Sequence, residues 1–116
     1  RLDESFNRIQ RILEADKLYK RPGLTLTELA DSAGLARHIA SEAINVKSKG
    51  NFFDLINDLR LEEFKRLVND PSTRHLTILG IAQEAGFNSK ASFYAIFKKK
   101  MGMTPSEYVD QQRPKP

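Results

Sequence analysis

The chain has 116 residues, of which 40% are hydrophobic and 29% are charged, a composition typical of one compact folded domain. It has no cysteine, which excludes disulfides, thiolate chemistry and a zinc finger, and its two histidines, His38 and His75, are too far apart in sequence to suggest a metal site. No apolar run approaches the roughly 20 residues that cross a bilayer, and no signal peptide is apparent.

The net charge of +4 is unevenly distributed along the chain. Between Phe87 and Met103 there are four lysines and no acid, whereas the acids concentrate between Asp54 and Glu63. A basic cluster of this kind is either a solvated face or a surface that meets a polyanion. Because no Gly-rich phosphate loop, nucleophile motif or paired carboxylates accompany it, we predict neither an enzyme nor a cofactor.

Every long segment has a helical rather than a strand period, which predicts an all-α fold with seven helices. The first helix is predicted at residues 3–19. A capping box formed by Thr25 and Glu28 predicts a short second helix at residues 26–34. A third helix is predicted at residues 37–46.

The second half of the chain follows the same rules. A long fourth helix is predicted at residues 51–69, a fifth between Thr77 and Gly86, and a sixth at residues 89–100. Thr104 followed by Pro105 is a clear helix start, so the seventh helix begins there. The last six residues are expected to fray.

The two pairs of short helices repeat each other at an offset of 52 residues, the separation of Leu24 and Leu76. The residues of the first copy that recur unchanged are Leu24, Thr25, Ala30, Ala33, Gly34, Ala43, Ile44, Lys47 and Gly50. In the second helix of each pair the register can shift by one, since Ile44 corresponds equally well to Phe97. Each copy consists of a short helix, a tight turn with Gly and a second helix, which is the pattern of a helix-turn-helix.

The stretch from Ile78 to Tyr108 closely resembles the signature of the AraC-type (AraC/XylS) transcription regulators of bacteria. The matching residues are Ile78, Ile81, Ala82, Gly86, Phe87, Ser92, Phe93, Phe97, Lys98, Gly102, Thr104, Pro105 and Tyr108. The first copy and the long helix match more loosely, so the resemblance covers about residues 24–108.

The resemblance implies a seven-helix DNA-binding domain over residues 1–116, with helix-turn-helix units of the homeodomain-like kind at 24–50 and 76–103 joined by a linker helix at 51–69. Each second helix is expected to enter a major groove of double-stranded DNA, at a bipartite site of about 20 base pairs. By position, the base-reading sites fall on His38, Ser41 and Glu42 and on Lys90, Ala91 and Ala95. Contacts to the DNA backbone are implied near Ser89, Ser92, Tyr94 and Lys98, and Arg37 begins the first recognition helix.

Some residues depart from the family pattern. Ala36 stands where the family usually has Ser or Thr, and Ala40 stands where it has a large apolar anchor. Glu42 repels phosphate but can accept a hydrogen bond from cytosine N4, whereas Ala91 and Ala95 offer only methyl contacts to thymine. The first unit is therefore expected to be the weaker reader, with specificity that is partly shape-based.

The resemblance also implies partners outside this chain. We expect RNA polymerase as a partner of the intact protein and, since the chain begins at Arg1, an upstream sensor or dimerisation region. The expected location is the nucleoid in the cytoplasm, with the upstream region either soluble or tethered to a membrane. The alternative is a helical protein-interaction module whose basic face meets an acidic partner and which has little DNA specificity.

Overall fold

The computed structural model describes residues 1–113, and the regular structure in this part of the chain is entirely helical. The seven α-helices are α1 (Leu2–Ala15), α2 (Leu26–Ala33), α3 (Arg37–Lys47), α4 (Phe52–Val68), α5 (Ile78–Ala85), α6 (Lys90–Met101) and α7 (Pro105–Gln112). Two short 3₁₀ helices lie at Leu18–Lys20 and Pro71–Thr73. The predicted all-α fold with seven helices is confirmed.

Several helices begin at local caps that the sequence encodes. In three of them the N-cap side chain accepts from the backbone N–H of the third helical residue, whose carboxylate accepts from the N-cap N–H in return, at 2.9 to 3.1 Å. The pairs are Thr25–Glu28, Asn51–Asp54 and Thr104–Glu107. Such pairs satisfy backbone donors that a helix start otherwise leaves unpaired, so they fix where α2, α4 and α7 begin.

The first helix is shorter than predicted. It ends at Ala15 rather than residue 19, because Lys17 takes a left-handed backbone conformation with φ of 51° and the chain then forms a 3₁₀ turn. Tyr19 is buried, but it belongs to this 3₁₀ turn and not to α1. A residue in the left-handed conformation ends an α-helix, but lysine rarely adopts that conformation, so the sequence does not predict a helix end at Lys17.

The chain forms two compact units, the first covering Arg1–Asp58 and the second beginning at Leu59, so that their boundary falls inside α4. In the first unit, α1 packs against α2 and α3. The fully buried large side chains of this unit are Ile9, Leu13, Leu29, Ile44 and Ile56. Gly34 ends α2 with a left-handed φ of 69°, as predicted.

The second unit is built around aromatic rings. The ring of Phe64 lies 5.1 Å from that of Phe93, 5.5 Å from Phe97 and 6.4 Å from Tyr108, measured between centroids. The ring of Phe87, in the turn between α5 and α6, lies 4.9 Å from Phe93. Edge-on and tilted ring pairs at these distances add to the burial of apolar surface, so α6 is firmly anchored along one side.

The prediction of a frayed C-terminus is wrong for residues 111–113. Helix α7 continues to Gln112, and the Arg113 guanidinium donates to the Val68 carbonyl oxygen at 2.9 Å and to Thr73 Oγ1 at 3.0 Å. A cation at the carboxyl end of α4 is favourable because it satisfies a free carbonyl and complements the helix dipole. The remainder of the predicted frayed segment, residues 114–116, lies outside the described residues.

Candidate nucleic-acid interface

The outward face of α3 is defined by what the helix buries. Ala40, Ala43 and Ile44 are fully buried. At about 100° per residue, the opposite side of the helix carries His38, Glu42 and Asn45, and all three are exposed. Ser41 lies at the edge of this face and is half-buried, and Arg37 is exposed at its start.

The outward face of α6 has a different chemistry. Phe93 and Phe97 are fully buried, and the position directly opposite them is Ala95. Ala91 and Lys99 adjoin it, and Lys98 and Ser92 lie at its margins, all of them exposed. The centre of the outward face of α6 therefore presents the methyl groups of Ala91 and Ala95, with lysine ammonium groups and a serine hydroxyl at its margins.

Lys90 and Tyr94 lie one helical turn apart in α6 and interact with each other. The Lys90 ammonium is 5.9 Å from the centroid of the Tyr94 ring, within the range of a cation–π contact. Tyr94 is half-buried, and its ring packs edge-on against the ring of Phe93, with the two centroids 5.6 Å apart. This contact fixes one side of the phenol. The contact brings the Lys90 charge towards the phenol.

The two helices also begin differently. Ser89 caps α6, its Oγ accepting from the backbone N–H of Ser92 at 3.2 Å, whereas Ala36 at the start of α3 has no side-chain cap. The Ser89 hydroxyl proton remains available to donate to a phosphate oxygen.

These starts also establish the register of the repeat. The N-caps of α2 and α5, Thr25 and Thr77, are 52 residues apart, but those of α3 and α6, Ala36 and Ser89, are 53 apart. The one-residue shift in the second helix of each pair is confirmed, because the turn before α6 is one residue longer. Ala40 therefore corresponds to Phe93, Ile44 to Phe97 and Asn45 to Lys98.

The positive charge of the first unit is partly neutralised. The Lys47 ammonium forms an ion pair with Asp3 of α1, and this hydrogen bond and charge lower the pKa of the Asp3 carboxyl. Helix α3 also carries Glu42 on its outward face. By contrast α6 has four lysines and no acid. Of the two candidate recognition helices, α6 therefore carries the larger net charge for a polyanion.

An acid near α6 moderates that charge. The pKa of the Glu107 carboxyl is lowered, mainly by the hydrogen bond from the Thr104 backbone N–H and to a smaller degree by the charge of Lys98. The carboxylate of Glu107 thus adds a negative charge in the neighbourhood of Lys98.

Two exposed residues of these faces were absent from the sequence-based set. Asn45 follows Glu42 by three residues and His38 by seven, and Lys99 follows Ala95 by four, so both share a face with predicted residues. The helical period alone could have found them, but the family pattern assigned no role to either position.

Neither a metal-holding group of side chains nor a membrane-spanning helix is found between residues 1 and 113. No group of three or more histidines and carboxylates there is arranged to hold a metal ion. None of the helices in that range is long and apolar enough to cross a membrane.

Comparison with known proteins identifies the fold. A family model described as "Helix-turn-helix domain" matches residues 29–111. The melibiose operon regulatory protein of Escherichia coli K12 is 30% identical over 92 residues, which are 78% of this chain but 30% of that protein. The chain therefore spans about a third of the length of the curated relatives it matches.

Solved structures agree with this. The C-terminal domain of the two-component response regulator yesN of Fusobacterium nucleatum is 26% identical, with a TM-score of 0.75 over 91% of this chain and 98% of that one. A transcriptional regulator of Chromobacterium violaceum, described as containing an AraC-type DNA-binding domain, shares the fold with a TM-score of 0.74 over 98% and 99% of the two chains, at 17% identity. The chain belongs to the AraC-type helix-turn-helix family, the non-enzymatic DNA-binding domains of transcription regulators.

Proposed function

We propose that this domain reads DNA sequence with two helices, α3 and α6, each in a major groove. The observation that carries the proposal is that both helices are anchored by buried side chains and leave the opposite face exposed. On both helices the outward side follows the spacing i, i+3, i+4 and i+7, with exposed residues at three positions and a half-buried residue at i+3: His38, Ser41, Glu42 and Asn45 on α3, and Ala91, Tyr94, Ala95 and Lys98 on α6. This is the spacing with which the homeodomain, another helix-turn-helix protein, contacts base edges.

In this proposal residues 24–50 and 76–103 are the two reading units, and the exposed residues of each play distinct parts. Ser89, Ser92 and Lys98 position α6 on phosphates, and Arg37 does so for α3. Lys90 reaches a base edge from the start of α6, and the other base contacts fall to the centres of the two outward faces.

The linker at residues 51–69 supports a bipartite site. Helix α4 has 17 residues, which gives a length of about 25 Å at roughly 1.5 Å per residue. Successive major-groove faces on one side of B-DNA are about 34 Å apart. A connection of this length is compatible with two adjacent grooves, and hence with a non-palindromic site of about 20 base pairs bound by one chain.

The experiment that tests the proposal is selection of bound sequences from a random duplex library, followed by titration of the best duplex over a range of salt concentrations. If about five to seven phosphates are contacted, log K should fall against log salt with a slope of about −4 to −6. Lys98→Ala should flatten the slope by about one unit and weaken all sequences alike. Arg11→Ala removes one positive charge from the exposed side of α1 and is the matched control, with an unchanged slope.

Spacing variants of the selected duplex test the two-groove reading. Inserting five base pairs between the half-sites turns one of them by about half a turn of B-DNA and should remove most of the specific affinity. Equal affinity for both spacings would mean that only one helix engages. Failure of the wild-type domain to bind any duplex below about 100 μM at low salt would instead favour a protein-interaction module.

The intact regulator is proposed to act at the nucleoid, together with RNA polymerase and with a sensor or dimerisation region outside this chain. The support is the relative's name, which makes it the regulator of an operon, and the fact that this chain spans only 30% of that relative's length.

A further inference from the structure

The face of α3 carries one more polar side chain than the sequence-based set of reading residues. Asn45 is exposed and lies seven residues after His38 and three after Glu42, on the side of α3 opposite the buried Ala40 and Ile44. Its two neighbours in the chain face elsewhere, since Ile44 is fully buried and Val46 lies about 100° around the helix. Asn45 thus completes a row of hydrogen-bonding side chains along the centre of the face.

We propose that Asn45 is a specificity-determining residue that recognises adenine, which rests on the proposed function of α3 as a reading helix. A carboxamide has an acceptor oxygen beside a donor nitrogen, and this pair matches the N6 amino group and the N7 acceptor that adenine shows in the major groove. The i+7 position of a homeodomain-like recognition helix contacts base edges.

The position of α6 that corresponds to Asn45 carries a different kind of side chain. In the structural register Asn45 corresponds to Lys98, and Glu42 corresponds to Ala95. Helix α6 therefore has a cation and a methyl group where α3 has an amide and a carboxylate. Lysine at this position attracts any phosphate through its charge, whereas a neutral amide has no such charge and presents the donor and acceptor pair that a base edge can match. With this role for Asn45 the first unit supplies the hydrogen-bond reading of sequence, in place of the weaker reading that its departures from the family pattern predict, and the second unit supplies charge and methyl contacts.

The test compares sequences selected by the wild-type domain, by Asn45→Ala and by Asn7→Ala. Asn7 is an exposed asparagine on α1, so its substitution removes an amide from the same unit without touching α3. We expect the wild type and Asn7→Ala to prefer adenine at one shared position, and Asn45→Ala to lose that preference by about 5- to 150-fold. Alanine is the better helix former, so α3 should form in the variant.

A duplex with 7-deazaadenine at that position then isolates the contact, because it lacks the N7 acceptor but still pairs with thymine. The wild type should lose about 5-fold or more in affinity on this duplex, and Asn45→Ala should lose nothing further. Asn45→Asp keeps the size of the side chain but replaces its donor by a charged acceptor, so it should lose the adenine preference and favour cytosine, whose N4 amino group donates to a carboxylate.

Three outcomes would overturn the proposal. An adenine preference that survives both Asn45 substitutions would mean that another residue reads the base. A uniform loss of affinity across all sequences would make Asn45 a phosphate contact. Absence of any selected sequence with the wild type would overturn the reading function of α3 together with this role, whereas a selected site that loses only its adenine preference in Asn45→Ala supports both.

Discussion

An N-cap hydroxyl is predicted to stabilise α6, which begins at Ser89, more than it would stabilise α3, which begins at Ala36. At the start of α6, Ser89 Oγ accepts from the Ser92 N–H at 3.2 Å, and we expect Ser89→Ala to lower the free energy of unfolding by about 1 kcal/mol. At the start of α3, Ala36 has the extended backbone of an N-cap, with φ of −66° and ψ of 147°, so Ala36→Ser is accommodated without strain. The new hydroxyl would lie close to the N–H of Ile39.

The gain from Ala36→Ser should be smaller than the loss from Ser89→Ala. The Ile39 N–H already donates to the Ala36 carbonyl oxygen at 3.1 Å, so the added hydroxyl shares a donor that is partly satisfied. We therefore expect Ala36→Ser to raise the free energy of unfolding by about 0.5 kcal/mol, the lower end of the range for caps.

Urea unfolding followed by far-UV circular dichroism measures both changes, with Ser32→Ala as the control. Ser32 is exposed in the last turn of α2, and removal of its hydroxyl should change stability by less than about 0.5 kcal/mol. The reasoning is refuted if Ser89→Ala is no more destabilising than Ser32→Ala, or if Ala36→Ser stabilises as much as Ser89→Ala destabilises.

Three other predictions concern charge and base contacts. Glu42→Gln should raise the affinity for non-specific duplex by about 2- to 10-fold at low salt, measured by fluorescence anisotropy, because it removes a repulsion from phosphate. The pKa values of the Asp70 and Glu107 carboxyls are lowered mainly by hydrogen bonds that they accept from the backbone N–H groups of Ser72 and Thr104. The stability that these bonds give is therefore present above the ordinary carboxyl pKa of about 4 and should be lost as pH falls below it. The urea midpoint should fall between neutral and acid pH, and it should fall less in Glu107→Gln. Replacing a thymine of the α6 half-site by deoxyuracil removes its methyl group and should weaken binding by about fourfold for each methyl that contacts Ala91 or Ala95, at about 0.8 kcal/mol per buried methyl. Positions that hold cytosine have no such methyl group and should not contribute to this effect.

The parts of the fold that the sequence predicts well are set by interactions between near neighbours. Thr104, Pro105 and Glu107 determine the start of α7 by themselves, because a capping box needs only residues three apart. Gly34 and Gly86 end α2 and α5 for the same kind of reason, since a left-handed residue at a helix end is easiest for glycine.

The parts that the sequence does not predict depend on distant contacts or on atypical residues. Arg113 donates a hydrogen bond to the carbonyl oxygen of Val68, 45 residues earlier in the chain. The sequence of the terminal residues does not indicate that this acceptor lies close to them. Lys17 ends α1 in a conformation that its residue type disfavours. The family pattern assigns no role to the position of Asn45, although the helical period places it on the same face as His38 and Glu42.

The substitution of a large anchor by Ala40 illustrates how packing changes the meaning of a sequence difference. In the second unit, the equivalent Phe93 is held among rings that include Phe64. In the first unit, Ala40 is fully buried in a helix against which α1 packs, and Ile9 of α1 is fully buried as well. A small buried side chain lets a neighbouring helix approach closely, and the packing of α1 against α3 agrees with this. Ala40 is therefore fully buried despite its size, and under the proposed function we expect any difference in reading between the two helices to arise from their outward faces, where α3 carries an amide, a carboxylate and an imidazole and α6 carries methyl and ammonium groups.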